Sequence, residues 1–165
     1  MNSHRNTGPA ESNTTLRQRA AALRASATRK LSADFLDDCL HQARSYAEQF
    51  DFSAFDVIDA TRLYEIVKQL NLYLGHLGNM PLCTEPDARG IPTLTPVGRF
   101  IEAEENRMAF LRDRCVVEIA RRVPNTEQER DEILGARISH ALDCGHRIEA
   151  DDEPGLLIEA LKAWG

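Results

Sequence analysis

Residues Asp87 to Arg122 read DARGIPTLTPVGRFIEAEENRMAFLRDRCVVEIARR, a proline-punctuated loop that opens into one long amphipathic helix. Thr95 suits an N-cap, and Pro96 stands at the first helical position, where a missing N–H leaves no hydrogen bond unmade. Apolar residues then recur at Val97, Ile101, Met108, Leu111, Cys115 and Ile119, a three-to-four spacing that draws one helical face. The helix is predicted from Pro96 to about Val123, where Pro124 stops it. Glu118 and Arg122, four apart, pair on its polar side. A helix this long commits its neighbours to helical packing.

The rest of the chain follows the same grammar. Ser32 reads as the N-cap of a helix with Leu31 and Leu36 as its staple. Its stripe is Leu36, Cys39, Leu40, Ala43 and Ala47, and it ends near Phe50. Ser53, with Asp56 three residues on, reads as the start of a second helix, Phe52 stapling against Val57. Its stripe is Phe55, Ile58, Leu63, Ile66, Val67, Leu70, Leu74 and Leu77, and Gly75 and Gly78 mark its end. In residues 78–95, Leu82–Thr84 and Ile91–Leu94 can pair as a short hairpin around Pro86–Gly90. Thr126 with Glu129 forms a capping box for a fourth helix carrying Ile133, Leu134, Ile138 and Leu142, with Gly145 as its C-cap. Asp151 to Pro154 is an acidic turn before a last helix, Gly155–Trp164. The expectation is an all-α chain of about five helices, with a central long antiparallel helical hairpin and one small β-hairpin at 82–94.

Charge divides the chain. Residues 1–30 carry Arg5, Arg17, Arg19, Arg24, Arg29 and Lys30 against Glu11 alone, +5; the remainder carries −11, for a net −6. Residues 1–14 read as disordered and 15–30 as an Ala/Arg-rich segment of good helix propensity. The domain organisation expected is a basic N-terminal arm over 1–30 and a single helical domain over 31–165. A basic arm on an acidic body suits an arm that meets nucleic acid and a body that faces protein. No run of ~18 apolar residues is present to span a membrane. The N-terminus lacks a secretory signal, and a cytoplasmic setting is expected. The four cysteines, Cys39, Cys83, Cys115 and Cys144, lie far apart and read as reduced core residues rather than a disulfide framework.

The residues offer no catalytic constellation: neither GxxxxGK nor GxGxxG occurs, and no nucleophile sits in an elbow. Asp-Cys-x-His occurs twice, as Asp38-Cys39-Leu40-His41 and Asp143-Cys144-Gly145-His146. Asp and His at i,i+3 share a helix face and can ligate metal, with Glu65 and Glu104 as further carboxylates in the manner of di-iron bundles. Buried cysteines beside surface Asp and His are the simpler reading, and no metal, cofactor or enzymatic activity is expected. Glu102, Glu104 and Glu105 read as a solvated helix flank and Trp164 as a packing anchor. The long helices carry more apolar stripe than one chain covers, which points to a homo-oligomer.

Residues 56–123 resemble the central helical hairpin of small terminase subunits of tailed bacteriophages. The shared pattern is Pro96, Ile101, Glu105, Arg107, Met108 and Leu111 in a proline-started helix after a Gly- and Pro-containing loop. The resemblance implies a ring-forming, non-catalytic protein of viral DNA packaging that recognises double-stranded DNA and hands it to a large ATPase subunit. Arg17, Arg19, Arg24, Arg29 and Lys30 would meet phosphates, and Ile101, Met108 and Leu111 would line the oligomer interface. A shorter stretch, Pro86 to Arg99 (PDARGIPTLTPVGR), is similar to the wing and following helix start of MarR-like winged-helix regulators, implying a dimeric transcriptional regulator. A third reading needs no DNA: a small acidic helical interaction module such as an adaptor, immunity protein or chaperone.

Overall fold

The computed structural model describes residues 37–145 and 155–165, and their architecture is predominantly all-α. Helix α1 covers residues 37–49. α2 is Val57–Gly78, α3 Pro96–Ala120, α4 Glu127–Gly145 and α5 Leu156–Trp164. The stretch around Ser32, the arm with Arg17, Arg19, Arg24, Arg29 and Lys30, and the acidic turn before Gly155 lie outside the described residues.

α2 begins later than the sequence suggests. Asp56, not Ser53, is the N-cap: its carboxylate accepts from Asp59 N at 2.8 Å. Ser53 is instead held in a turn, its N–H donating to Asp51 Oδ1 at 2.8 Å, and hydrogen bonding from the Ser53 backbone and side chain holds the Asp51 carboxyl below its usual range. The intervening turn is apolar, Phe50, Phe52 and Phe55 stacking with ring centroids 4.8–6.3 Å apart. Arg122 closes it, donating to the carbonyls of Phe55 and, at 3.0 Å, Phe52. It therefore does not pair with Glu118, which binds Arg114 at 2.6 Å and Arg121 at 3.0 Å. Phe52 O also accepts from Phe55 N at 3.2 Å, so the guanidinium adds a charged donor to carbonyls at a turn that has no regular ladder to satisfy them.

α2 and α3 form the expected antiparallel hairpin. The small sheet at its tip is shifted from the sequence reading: Pro81–Cys83 coils into a 3₁₀ turn, and Thr84–Pro86 (β1) pairs with Pro92–Leu94 (β2), Thr84 opposite Leu94. The shift follows from Cys83, which is buried and cannot join a solvent-facing strand. Its carbonyl accepts from Thr95 N at 2.9 Å and its thiol donates to Leu77 O at 3.1 Å. The turn between the strands closes on Asp87, whose carboxylate accepts from Arg89 N and Ile91 N, with Gly90 at φ +78. Thr95 caps α3 as expected, accepting from Gly98 N at 3.0 Å. Gly98 is required by a close approach: a Cβ there would stand 2.1 Å from Cys83 O. α3 ends at Ala120, a turn before the proline.

Thr126 caps α4, accepting from Glu129 N at 3.1 Å, while the Glu129 carboxylate reaches back to Asn125 N rather than to Thr126 N. The main core joins Ala47, Phe52, Val57, Ala60, Tyr64, Val67, Leu111, Cys115, Val116, Ile119, Ile133 and Ala136. A smaller cluster of Leu134, Ala141 and Leu156 seats α5 on α4. Leu111 is 3% exposed and Met108 packs against the same core, so both serve the chain's own interior; Ile101 is half-buried.

The face that α2 buries is Val57, Ala60, Thr61, Tyr64 and Val67; of the expected stripe Val67 belongs to it and Phe55 and Leu63 pack against the same core, while Ile66 and Leu70 do not. Small residues at 60 and 61 let the neighbouring helices come close. Ile66, Leu70 and Tyr73 stay 58%, 45% and 60% exposed. At about 100° per residue they centre roughly 150° round the helix from Tyr64. α2 thus has two apolar arcs, and among the described residues only one is covered.

Candidate functional site

Lys68 and Asn71 on α2, Arg112 and Asp113 on α3, and Ser139, His140, Asp143 and Cys144 on α4 converge beside Tyr64. The i,i+4 and i,i+3 spacings on α4 bring 139, 140, 143 and 144 onto neighbouring strips of one surface. Lys68 Nζ lies 2.6 Å from Ser139 Oγ and 2.8 Å from Asp143 Oδ2. Burial disfavours the ammonium, but the Asp143 partner more than offsets it and the Lys68 pKa is raised. Arg112 donates to Asp113 Oδ1 at 2.9 Å, to Cys144 Sγ at 3.3 Å and to Asn71 Oδ1 at 3.5 Å. Asn71 in turn donates to the α3 backbone at Glu105 O, 2.9 Å. Burial opposes the Arg112 charge and Asp113 again wins, raising its pKa.

At the centre the Tyr64 ring is fully buried, edge-on to His140 at 6.2 Å, and its hydroxyl makes no hydrogen bond among the described residues. Burial raises its pKa, with the nearby Lys68 charge acting the other way. His140 holds the outer edge: Cys144 Sγ stands 3.7 Å from Nε2 and 3.8 Å from Nδ1, and Asp113 Oδ1 3.9 Å from Nε2.

Cysteine, histidine and aspartate together invite comparison with a nucleophilic triad, and the geometry argues against it. A triad needs the carboxylate on the ring nitrogen opposite the nucleophile. Here Cys144 Sγ stands almost equally far from both ring nitrogens, at 3.7 and 3.8 Å, so it is aligned with neither lone pair, and Asp113 Oδ1 is 3.9 Å from Nε2, beyond hydrogen-bond length. Burial also pushes the Cys144 thiol up despite Arg112, away from the thiolate a nucleophile requires.

The sequence placed Cys144 in a repeated motif, but its partners are different. Asp143 is tied to Lys68, His146 lies outside the described residues, and Asp38 and His41 are exposed. Glu65 is exposed, and Glu104 pairs with Arg107 at 3.0 Å, so neither joins a di-iron arrangement. Glu102 and Glu105 line an open groove of about 440 Å³ with Asn71, Leu72, Gly75 and His76. All four cysteines are free thiols. Cys83 and Cys115 are core residues, whereas Cys144 is exposed and Cys39 half-buried, which corrects the expectation of four buried cysteines. Trp164 is 53% exposed, its Nε1 donating to Asp131 Oδ1 at 3.0 Å. The signal for the observed cluster was present in the sequence as His140 and Cys144 at i,i+4. Asp113 comes from another helix and has no sequence signature. Among the described residues no helix is long and apolar enough to cross a membrane. The chain matches no protein-family model, no curated protein and no solved structure.

Proposed function

We propose that this chain is a non-catalytic helical protein that assembles with copies of itself and handles double-stranded DNA in the manner of small terminase subunits. The observation that carries the self-assembly is the second apolar arc of α2. Ile66, Leu70 and Tyr73 stand exposed at i, i+4 and i+7 along one line, with Leu77 half-buried beside them. α4 packs on another flank of α2, where Lys68 pairs with Asp143 at 2.8 Å. A second exposed arc lies on α5, where Leu157, Ile158, Leu161 and Trp164 flank buried Leu156 and Ala160 on one side of the helix. Two unlike apolar faces are what a head-to-tail contact needs, and such contacts form rings when the rotation between copies closes. Large exposed apolar patches on a helical domain mark interaction surfaces.

The DNA part of the reading rests on charge. The body carries −11 and repels phosphate, while Arg17, Arg19, Arg24, Arg29 and Lys30 provide a basic arm. The acidic body would then turn toward a large ATPase subunit or another protein partner. The small acidic interaction module is the second reading, favoured by the same two arcs if they take a different protein instead of a copy.

Absolute mass by light scattering on a sizing column at moderate salt tests the proposal. A closed assembly of many chains that dissociates on Leu70→Glu supports it, and a gel shift lost on deletion of residues 1–30 supports the arm's role. A monomer overturns self-assembly and leaves the interaction module. A dimer favours the winged-helix regulator.

A further inference from the structure

We propose that Asp113, His140 and Cys144 form a binding site for one divalent transition-metal ion, with zinc as the best fit. Their ligand atoms all lie within 4.8 Å of one another. A thiolate, an imidazole and a carboxylate are the donors zinc takes, and a mixed set of this kind suits borderline-soft ions rather than calcium or magnesium. Zinc–sulfur bonds of ~2.3 Å and zinc–nitrogen bonds of ~2.0 Å at a tetrahedral angle hold S and N about 3.6 Å apart. Cys144 Sγ and His140 Nε2 are 3.7 Å apart. Two oxygen- and nitrogen-length bonds hold their atoms roughly 3.3–3.4 Å apart. Asp113 Oδ1 and His140 Nε2, at 3.9 Å, reach that by a small side-chain rotation.

The site is built from rigid parts. His140 and Cys144 sit one turn apart on α4 and Asp113 on the neighbouring α3, so helix packing sets the spacing before any ion arrives. Arg112 donates to both Asp113 Oδ1 and Cys144 Sγ, the outer hydrogen bonding that holds ligands in place and favours the thiolate. Three protein ligands leave the fourth tetrahedral position to solvent. That is the open arrangement of an exchangeable rather than a closed structural site.

Cobalt(II) is the probe, because it takes zinc's geometry and reports thiolate ligation in its spectrum. The full-length reduced chain titrated with cobalt(II) chloride is expected to saturate at one equivalent. It should show tetrahedral visible bands and a near-ultraviolet thiolate-to-cobalt band, both displaced by zinc. Cys144→Ser is expected to remove the near-ultraviolet band. His140→Ala and Asp113→Asn are expected to weaken binding at least tenfold, and Cys39→Ser to change nothing. Circular dichroism confirms that each variant keeps its helices, and Cys144 and Asp113, both exposed, are safe positions to change. No thiolate band with excess cobalt on the folded chain overturns the proposal. So does a band that survives Cys144→Ser, or one lost only in Cys39→Ser, which would move the metal to the first Asp-Cys-x-His copy.

Discussion

Replacing Gly98 by alanine pits helix propensity against packing, and the two predict opposite signs. Gly98 lies in the first turn of a 25-residue helix, where propensity alone has alanine stabilising by about 1 kcal/mol. The structure puts the new Cβ 2.1 Å from Cys83 O, 3.0 Å from its carbonyl carbon and 3.2 Å from its Cα. All three are backbone atoms, so relief requires α3 and the 3₁₀ turn to separate by roughly an ångström. Overpacking of that kind costs about 1–3 kcal/mol. The separation also strains the Thr95 N→Cys83 O bond at 2.9 Å and the Thr95 cap on Gly98 N at 3.0 Å. A lost cap adds ~1 kcal/mol and a lost hydrogen bond about as much. Net of propensity, Gly98→Ala is expected to destabilise by about 2–4 kcal/mol. Gly135→Ala is the matched control, since a Cβ on that α4 glycine meets nothing within 4 Å. It should stabilise by about 0.5–1 kcal/mol. Urea denaturation followed by far-ultraviolet circular dichroism measures both. A Gly98→Ala protein as stable as the parent, or more so, would refute the close approach of Cys83 and with it the register of the hairpin tip.

Arg122→Gln should cost about 2–3 kcal/mol in the same assay, because two carbonyls of the aromatic turn lose a charged donor. Arg121→Ala, 65% exposed in its ion pair, should cost well under about 1 kcal/mol. Alkaline pH provides a second handle through Cys115, whose thiol burial pushes from 9.0 up to about 12. Between those values the unfolded chain has released the proton that the folded chain keeps, so stability falls as pH rises, by up to about 4 kcal/mol. A Cys115→Ala variant should lose that part of the slope whatever its stability at neutral pH, and an unchanged slope in a pH series of urea melts would contradict the burial.

The residues that cap and stop helices act over three or four positions, which is why they could be read without a structure. Thr95 with Pro96, Thr126 with Glu129, and Gly78 all mark ends that the fold keeps. Charge segregation is likewise a property of the chain alone. What periodicity could not decide was which of two apolar arcs on α2 turns inward, since Ile66, Leu70 and Tyr73 repeat as well as Val57, Tyr64 and Val67. Packing chose the arc that includes Ala60 and Thr61, because close helix approach needs small side chains, and left the other arc at the surface. The same holds for Asp51 and Asp56, where either carboxylate can cap locally and the aromatic turn between them sets the helix start. The polar cluster belongs wholly to the tertiary level. Asp113 stands 27 positions before His140 in sequence, and only the packing of α3 on α4 brings its carboxylate to 3.9 Å from that ring.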